Sequence, residues 1–230
     1  MKKNNTKVII FDSSTIINFA MNGLMEEFRE LKKNFDGKFL ITKEVAEEIV
    51  TKPLTIKRFE LEALKIRKLI EEKTLEMPLV LGINDKEISD ITLDVMKTAN
   101  NIYFGKGNAI QIVHSGESSC IALCNILRKK GIESVISVDE RTVRMLCEKP
   151  ENLAELLQKK LHTEIQTKEE NFDYFKDYKF IRSAELMYVA YKKGFIKFGN
   201  HQALDAILYA LKFNGCSISD EEISEIEKIG

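Results

Sequence analysis

Two aspartates directly follow apolar runs that are typical of a buried core, where a charged residue is not expected. Asp12 follows "VIIF", and Asp139 follows "VISV". In an open parallel sheet the carboxyl ends of the strands meet at one edge, where ligands bind, so two such strands would bring both aspartates to that edge. Each aspartate could instead cap the helix that follows it, which is a common role for an aspartate after a strand. Both interpretations stay open on the pattern alone.

Glutamates in two helical segments could join these aspartates. Glu117 heads the segment "ESSCIALCNILRKK" and shares its apolar stripe with Ile121 and Cys124, so its carboxylate should point inward. In "TKEVAEEIV", Glu47 and Glu48 flank the apolar face equally, and the helical period does not choose between them. For that helix alone, a solvated acidic face is the simpler interpretation.

Carboxylates gathered at one rim would repel one another and raise their own pKa values unless cations lay among them. Mg²⁺ and Mn²⁺ are hard cations that suit oxygen ligands and leave room for phosphate oxygens. The reaction that fits is phosphodiester hydrolysis, because such an ion lowers the pKa of the attacking water and neutralises charge on the leaving oxygen. Histidine and cysteine are not required for it, and the three histidines are scattered while the four cysteines form no CxxC pair.

The composition narrows the class of protein. With 230 residues, 44% of them hydrophobic, the chain can bury a core. Lys+Arg 35 against Asp+Glu 36 leaves almost no net charge, so binding of nucleic acid would need local cationic patches. No apolar run reaches the roughly 18 residues of a membrane span, and Asp12 interrupts the first run before it could form a signal peptide. We therefore expect a soluble cytoplasmic protein with reduced thiols and no membrane contact.

Short apolar strands alternate with helical patterns along the chain. Strands are predicted at 8–11, 39–41 and 135–138, and the alternation predicts an α/β fold with a parallel sheet. Periodicity predicts helices at 14–31, 43–50, 56–72, 85–99, 117–130, 142–147 and 153–161. A helical C-terminal part is predicted at 183–230, where Ser219 and Glu222 have capping-box spacing. No linker or repeat divides the chain, so we expect a single domain over 1–230.

In this order and context the motifs resemble the PIN-domain nucleases over most of the chain. The first family motif matches "VIIFDSSTIINFA", and the second matches "FLITKEVAEEIV", where the family pattern favours Glu48 over Glu47. One branch of the family carries its third acid in a Gly-Glu pair that opens a helix, which "HSGESSCIALC" matches with Glu117. The fourth acid is an Asp after a buried strand, followed in that branch by another acid, which "VISVDERTVRML" matches with Asp139 and Glu140.

The resemblance implies a three-layer α/β/α sandwich with a central parallel sheet, Mg²⁺ or Mn²⁺ as cofactor, and RNA as substrate. Many family members are toxins of the VapC type, inhibited by an antitoxin protein and commonly homodimeric. The residues implied as catalytic and metal-binding are Asp12, Glu48, Glu117 and Asp139. Those that would support them are Ser13, Ser14, Thr15, Asn18 and Glu140. From the residues alone, the three hydroxyls could equally cap the next helix, and Asn18 could be an ordinary polar helix position.

The chain departs from the compact toxins in length. An insertion is expected at 75–113, with an amphipathic helix and a hairpin around Gly105 and Gly107. Packing or dimer contact is the plain interpretation of this insertion, and a substrate clamp is the sharper one. The extra length argues against the toxin role more than against the nuclease role.

Two other functions compete with a metal-dependent ribonuclease. A catalytically degenerate PIN fold could bind RNA or a protein without cutting. A haloacid-dehalogenase-type phosphatase also places a nucleophilic Asp after an apolar strand, but its usual second Asp two positions later is Ser14 here. Cationic residues that could contact RNA are Lys57, Arg58, Lys65, Arg67, Lys68, Arg128, Lys129, Lys130, Lys192 and Lys193, although such runs are often only solvated surface.

Overall fold

The structure, a computed structural model, describes residues 6–197 and 201–229. Its strands are β1 Lys7–Phe11, β2 Gly37–Leu40, β3 Tyr103–Gly105, β4 Asn108–Ala109, β5 Ser134–Ser137, β6 Ile165–Thr167 and β7 Phe180–Ile181. Its α-helices are α1 Ser13–Met21, α2 Met25–Lys33, α3 Lys43–Ala46, α4 Glu60–Glu71, α5 Asp85–Ala99, α6 Ser115–Lys129, α7 Arg141–Glu148, α8 Pro150–Leu161, α9 Ser183–Lys192, α10 His201–Phe213 and α11 Asp220–Ile229. None of these helices is both long and apolar enough to cross a membrane.

Four parallel strands form the main sheet in the order β2-β1-β5-β7. The α/β class and the parallel sheet are as predicted, and β1 lies between β2 and β5 with Ile10 opposite both Leu40 and Ile136. The fourth strand, β7, has no counterpart among the predicted strands, because its two residues are too short to produce a pattern. Since β1 is central and its carboxyl end leads into Asp12, the sheet delivers that carboxylate to the middle of its edge.

Aromatic packing fixes α2 against the sheet. The rings of Phe11 and Phe39 on neighbouring strands lie 4.9 Å apart, and both contact Phe28 of α2 at 5.1 and 5.2 Å. All three side chains are buried. Ring pairs at such distances stabilise a core beyond the area they bury.

Several helix boundaries differ from the predicted ones. The single helix predicted at 14–31 is wrong, because the chain leaves the helix at Asn22 and turns at Gly23, whose φ of 71° suits glycine. The helix predicted at 56–72 begins only at Glu60, after a 3-10 turn that starts at Pro53. The segment predicted at 43–50 is α-helical only to Ala46 and then forms a π-helical turn, Glu47–Thr51.

The hairpin predicted around Gly105 and Gly107 is present. Strands β3 and β4 pair antiparallel, and the turn residues Lys106 and Gly107 both have positive φ, at 51° and 80°. β6 adds to the other edge of β3 and completes a second, three-stranded sheet. β6 lies far beyond position 113. The second sheet therefore combines two strands of the 75–113 segment with one strand from outside that segment.

The C-terminal part contains the predicted helices. Ser219 and Glu222 make both bonds of the expected capping box at 2.8 and 3.1 Å. Positions 198–200 and 230 of this part lie outside the described residues. α9 contacts α2 and α10, which fixes its first residue, Ser183, near the edge of the main sheet.

Candidate functional site

Asp12 lies at the carboxyl end of β1 and is only 2% exposed. Its Oδ2 accepts hydrogen bonds from the backbone N–H and the hydroxyl of Ser14, at 2.9 and 2.5 Å, so it also caps α1. Its Oδ1 is buried and has no hydrogen-bond partner in the described structure. The capping role therefore accounts for one oxygen and leaves the other unexplained, and a buried unpaired carboxylate oxygen is costly.

Burial raises the pKa of Asp12 to about 7, and repulsion from Glu117 and, more weakly, Glu48 acts in the same direction. The bonds from Ser14 oppose this rise in pKa. Three carboxylates that come from separate parts of the sequence therefore interact electrostatically at one place. A pKa perturbed by burial together with specific charged neighbours is typical of functional sites.

Glu48 reaches this place from the π-helical turn that follows α3. Its carboxylate lies over Gly116, where an added Cβ would stand 2.7 Å from Oε2 and 2.9 Å from Oε1. Glu47, by contrast, is paired with Lys43 at 3.9 Å and its side chain is 47% exposed. Of the two glutamates that the helical period could not separate, Glu48 is the one beside Asp12 and Gly116.

Hydroxyl groups hold the two glutamate-bearing helices together. Ser119 in α6 donates to the carbonyl of Gly116 at 2.6 Å, and its hydroxyl meets that of Thr42 at 2.6 Å. Thr42 is the N-cap of α3 and accepts from the N–H of Val45. These buried bonds fix the start of α3 against the first turn of α6, and thus the backbones that carry Glu48 and Glu117.

Glu117 occupies the first turn of α6. Its Oε2 accepts from the backbone N–H of His114 at 2.9 Å, which is the glutamate half of a capping box. Burial is the main cause that raises its pKa, and the charge of Glu140 adds to the rise. The helix-capping bond uses only one of its oxygens.

Asp139 is brought to the same edge of the sheet but is bonded within the protein. It is 1% exposed, and Ser183 donates to its carboxylate through both the backbone N–H and the hydroxyl, each at 2.7 Å. Asn18 donates to it from Nδ2, also at 2.7 Å. This carboxylate therefore connects β5, α1 and α9, and its bonds are those of a structural group.

Glu140 follows Asp139 directly and is less buried. It accepts from the hydroxyl of Thr142 at 2.6 Å, and its charge raises the pKa of Glu117. Through this effect on Glu117, Glu140 is the fourth carboxylate that acts on the cluster, whereas the resemblance assigns the fourth catalytic place to Asp139. We define the carboxylate cluster as Asp12, Glu48, Glu117 and Glu140.

The remaining supporting residues have distinct places. Ser14 links the two aspartates, because its hydroxyl donates to Asp12 and accepts from the N–H of Asp139 at 3.1 Å. Thr15 is buried and accepts from Ser137 at 3.2 Å, whereas Ser13 is half-buried. Asn18 is 1% exposed and not an ordinary helix position, since it orients Asp139.

The carboxylate cluster has the ligand type that a hard divalent cation prefers, but its side chains are not close enough together to bind one as they stand. The donors are all carboxylate oxygens, and the unpaired Oδ1 of Asp12 is an open ligand. Yet within residues 6–197 and 201–229 no three His, Cys, Asp or Glu side chains are grouped closely enough to hold a metal ion. Glu48 and Glu117 would have to turn toward Asp12 to share an ion with it, which long flexible side chains can do.

Comparisons of the chain with models of protein families, with curated proteins and with solved structures find no match.

Two residues of the site are not identified by their chemistry in the sequence. Gly116 enters the sequence pattern only as part of the Gly-Glu pair, but its missing side chain is what admits the carboxylate of Glu48. Ser183 is not among the predicted site residues, although a serine that opens the helical pattern "SAELMYVAYKKG" is a signal for a helix start. That it binds Asp139 depends on tertiary packing and has no local signal.

Proposed function

We propose that this protein is a metal-dependent ribonuclease of PIN type, with a three-layer α/β/α sandwich around the parallel sheet. The observation that carries the proposal is the buried, unpaired Oδ1 of Asp12, whose pKa is raised by burial and by the charges of Glu117 and Glu48. Oxygen donors of this kind suit Mg²⁺ or Mn²⁺ and phosphate chemistry. An antitoxin partner and a homodimer follow from the resemblance, a cytoplasmic location follows from the sequence pattern, and all three belong to the same proposal.

The residues would divide the work as their bonds indicate. Asp12, Glu48 and Glu117 would hold the cation, which when bound supplies an activated water and neutralises charge on the phosphate. Ser14 keeps Oδ2 of Asp12 in place, so that Oδ1 stays available. Gly116 leaves the space in which the carboxylate of Glu48 lies.

Asp139 would act as a positioning residue. Its carboxylate holds Asn18 and Ser183, and its backbone N–H holds the hydroxyl of Ser14, which in turn holds Asp12. Glu140 stands close enough to influence the charge of Glu117 and is the alternative fourth acid.

The competing functions would require different roles for Asp12 and the residues around it. A phosphatase of the dehalogenase type would need an acid at position 14, where the hydroxyl of Ser14 is already bonded to Asp12. A degenerate PIN fold that binds without cutting would leave the carboxylate cluster with no chemical role.

The test is RNA cleavage by purified protein. A mixed RNA pool is incubated with wild type, Asp12→Asn and Glu47→Gln in Mn²⁺ or in EDTA, with circular dichroism to show that each variant is folded. We expect cutting by wild type and Glu47→Gln in Mn²⁺ only, and a loss of several orders of magnitude in Asp12→Asn, because the amide lacks the charge that holds the ion. Equal cutting by wild type and Asp12→Asn would disprove the proposal.

A further inference from the structure

A cavity of about 600 Å³ lies among α7, the start of α8, and the segment that joins α10 to α11. Its walls connect through the backbone to the cluster and to Asp139, because Arg141 follows Glu140 directly and the N–H of Ser217 donates to the carbonyl of Asp139 at 3.0 Å. Arg182, on another wall, precedes the Ser183 that binds the carboxylate of Asp139. We call it the cationic cavity.

Cations outnumber acids on its walls. Among the described residues that line it, Glu148 and Glu222 are the acids, and the cations are Arg141, Arg144, Lys149, Arg182 and Lys212. The whole chain is almost neutral, so this excess is local. A concave wall with one dominant sign of charge concentrates counter-ions of the other sign.

Some of these cations are already satisfied by the protein. Arg182 is paired with Glu185 and with Glu222, the latter at 2.9 Å, and it donates to the carbonyl of Ser217. Lys212 is paired with Asp220 at 2.5 Å. These two side chains shape the wall more than they attract a ligand.

Arg144 is different. Its Nη1 is buried and has no hydrogen-bond partner in the described structure. Its charge does interact with Glu222, because it helps to lower the pKa of that carboxyl. A buried guanidinium nitrogen without an acceptor is unfavourable, since an ion removed from water needs both a counter-charge and hydrogen bonds. The partner that Nη1 of Arg144 lacks is therefore a hydrogen-bond acceptor.

The chemistry of the walls suits an oxyanion such as phosphate as this acceptor. A guanidinium presents donors in a planar fork that matches phosphate oxygens, and Arg141 and Arg144 lie three positions apart in α7, on neighbouring parts of one face. Arg141 is exposed and can move toward a ligand, while Arg144 is half-buried.

We propose that the cationic cavity binds a phosphate group, supplied by the RNA strand that extends from the carboxylate cluster. This rests on the proposed function for the identity of the strand and for the choice of phosphate over a carboxylate, whereas the site for an oxyanion rests on the cavity itself. Arg144 and Arg141 bind the phosphate, and Arg182, held by its ion pairs, keeps the wall in place. The cavity thereby sets where a strand lies relative to Asp12.

The experiment measures binding without cutting. Fluorescence anisotropy of a single-stranded RNA labelled with fluorescein at its 3′ end is followed in EDTA, with wild type, Arg144→Gln and Arg141→Gln. The matched control is Lys33→Gln, because Lys33 is an exposed cation of α2 that pairs with Glu30 at 2.5 Å and does not line the cavity. Thermal melting shows that each variant is folded.

We expect Arg144→Gln and Arg141→Gln each to weaken RNA binding by about tenfold, as for the loss of a charge-assisted hydrogen bond, and Lys33→Gln to bind like wild type. Competition with inorganic phosphate and AMP separates the two sources of the phosphate. If neither compound displaces the RNA, the bound phosphate belongs to the strand. If either compound competes with an affinity equal to that of the RNA, the cavity binds free phosphate, and the assignment to the strand is overturned. Equal binding by wild type and both cavity variants overturns the site itself.

Failure of this proposal and failure of the nuclease proposal give different results. If cutting never depends on Asp12 but the cavity variants lose RNA binding, the phosphate site stands and the nuclease does not. If Asp12→Asn abolishes cutting while the cavity variants bind and cut like wild type, only the phosphate site is wrong. Arg141 keeps the test decisive even if Arg144→Gln fails to fold, because an exposed side chain can be changed without loss of packing.

Discussion

The carboxylate of Glu48 lies directly over the α-carbon of Gly116, on the side where any other residue would carry its Cβ. A methyl group there would meet Oε2 at 2.7 Å, which is closer than real Cβ contacts allow. The atoms that must move are the free end of a flexible side chain, so the displacement costs the fold little. It removes Glu48 from its place beside Asp12.

Gly116→Ala should therefore separate stability from activity. Alanine is better than glycine inside a helix by about 0.5–1 kcal/mol, so the free energy of unfolding should stay equal or rise. Metal-dependent RNA cutting should fall about tenfold or more, since one ligand no longer reaches the ion. Urea unfolding and cleavage rates in Mn²⁺ are the two measurements. Unchanged cleavage would show that Glu48 does not hold the metal.

Asp139→Asn should lower the stability of the metal-free protein, whereas Asp12→Asn should not. The new amide NH₂ group would face at least one of the donors that Ser183 and Asn18 now direct at the carboxylate of Asp139, so a buried donor would lose its partner. We expect a loss of about 3 kcal/mol in the free energy of unfolding, measured by urea denaturation in EDTA.

Asp90→Asn is the control for that change, because Asp90 is an exposed acid of α5 and its loss should alter stability by about 0.5 kcal/mol or less. Asp12→Asn should keep or raise the stability of the metal-free protein while abolishing cutting. If Asp139→Asn instead keeps full stability and loses activity, Asp139 is a metal ligand, as the family resemblance implies.

The pH dependence of the metal-free protein follows from Asp12. Its pKa is about 7 in the folded protein against an ordinary value of 3.8, so the folded state binds a proton that the unfolded state releases between these values. Stability from this group is therefore present at low pH and is lost as pH rises toward 7 and beyond. Burial raises the pKa of Glu117 as well, with the same sign.

The measurement is the free energy of unfolding in EDTA at pH 5 and pH 8, for wild type and Asp12→Asn. Wild type should gain stability at pH 5 relative to Asp12→Asn, because the variant has no carboxyl to protonate at that position. Parallel pH profiles for the two proteins would mean that the carboxyl of Asp12 titrates normally.

The sequence predicted what depends on local pattern. The strands before Asp12 and Asp139, the helix over 85–99 and the hairpin turn at Lys106 and Gly107 all have a period or a turn signal of their own. The orientation of Asp139 has none, because it is set by Asn18, 121 residues away, and Ser183, 44 residues away. A carboxylate at a strand end is predictable, but which of its oxygens stays free is a property of the packing.

Glu48 shows the same limit of prediction from a local pattern. Periodicity treats Glu47 and Glu48 alike because it assumes a regular α-helix, and the chain forms a π-helical turn from Glu47 to Thr51. Such turns carry an extra residue and change the direction of the side chains within them. The bond between Thr42 and Ser119 then fixes the start of α3, which leads into that turn, against α6.

Metal binding should itself stabilise the fold. If the ion binds only the folded protein, Mn²⁺ at about 100 times its dissociation constant should stabilise the protein by about 2.7 kcal/mol, and EDTA should reverse the effect. For a chain of this length that is a rise of about 5–10 °C in Tm, measured by thermal melting. Asp12→Asn should show almost no rise, because the charge opposite the ion is missing.

The rise in Tm should also depend on pH and on which glutamate is changed. It should shrink at pH 5 in wild type, since protons compete with the ion for Asp12, whose pKa of about 7 leaves it largely protonated there. Glu47→Gln is the matched control and should keep the full rise, because the side chain of Glu47 is paired with Lys43 away from the cluster. A Tm that is the same in Mn²⁺ and EDTA would mean that the carboxylate cluster does not bind the ion, and the unpaired Oδ1 of Asp12 would then need another explanation.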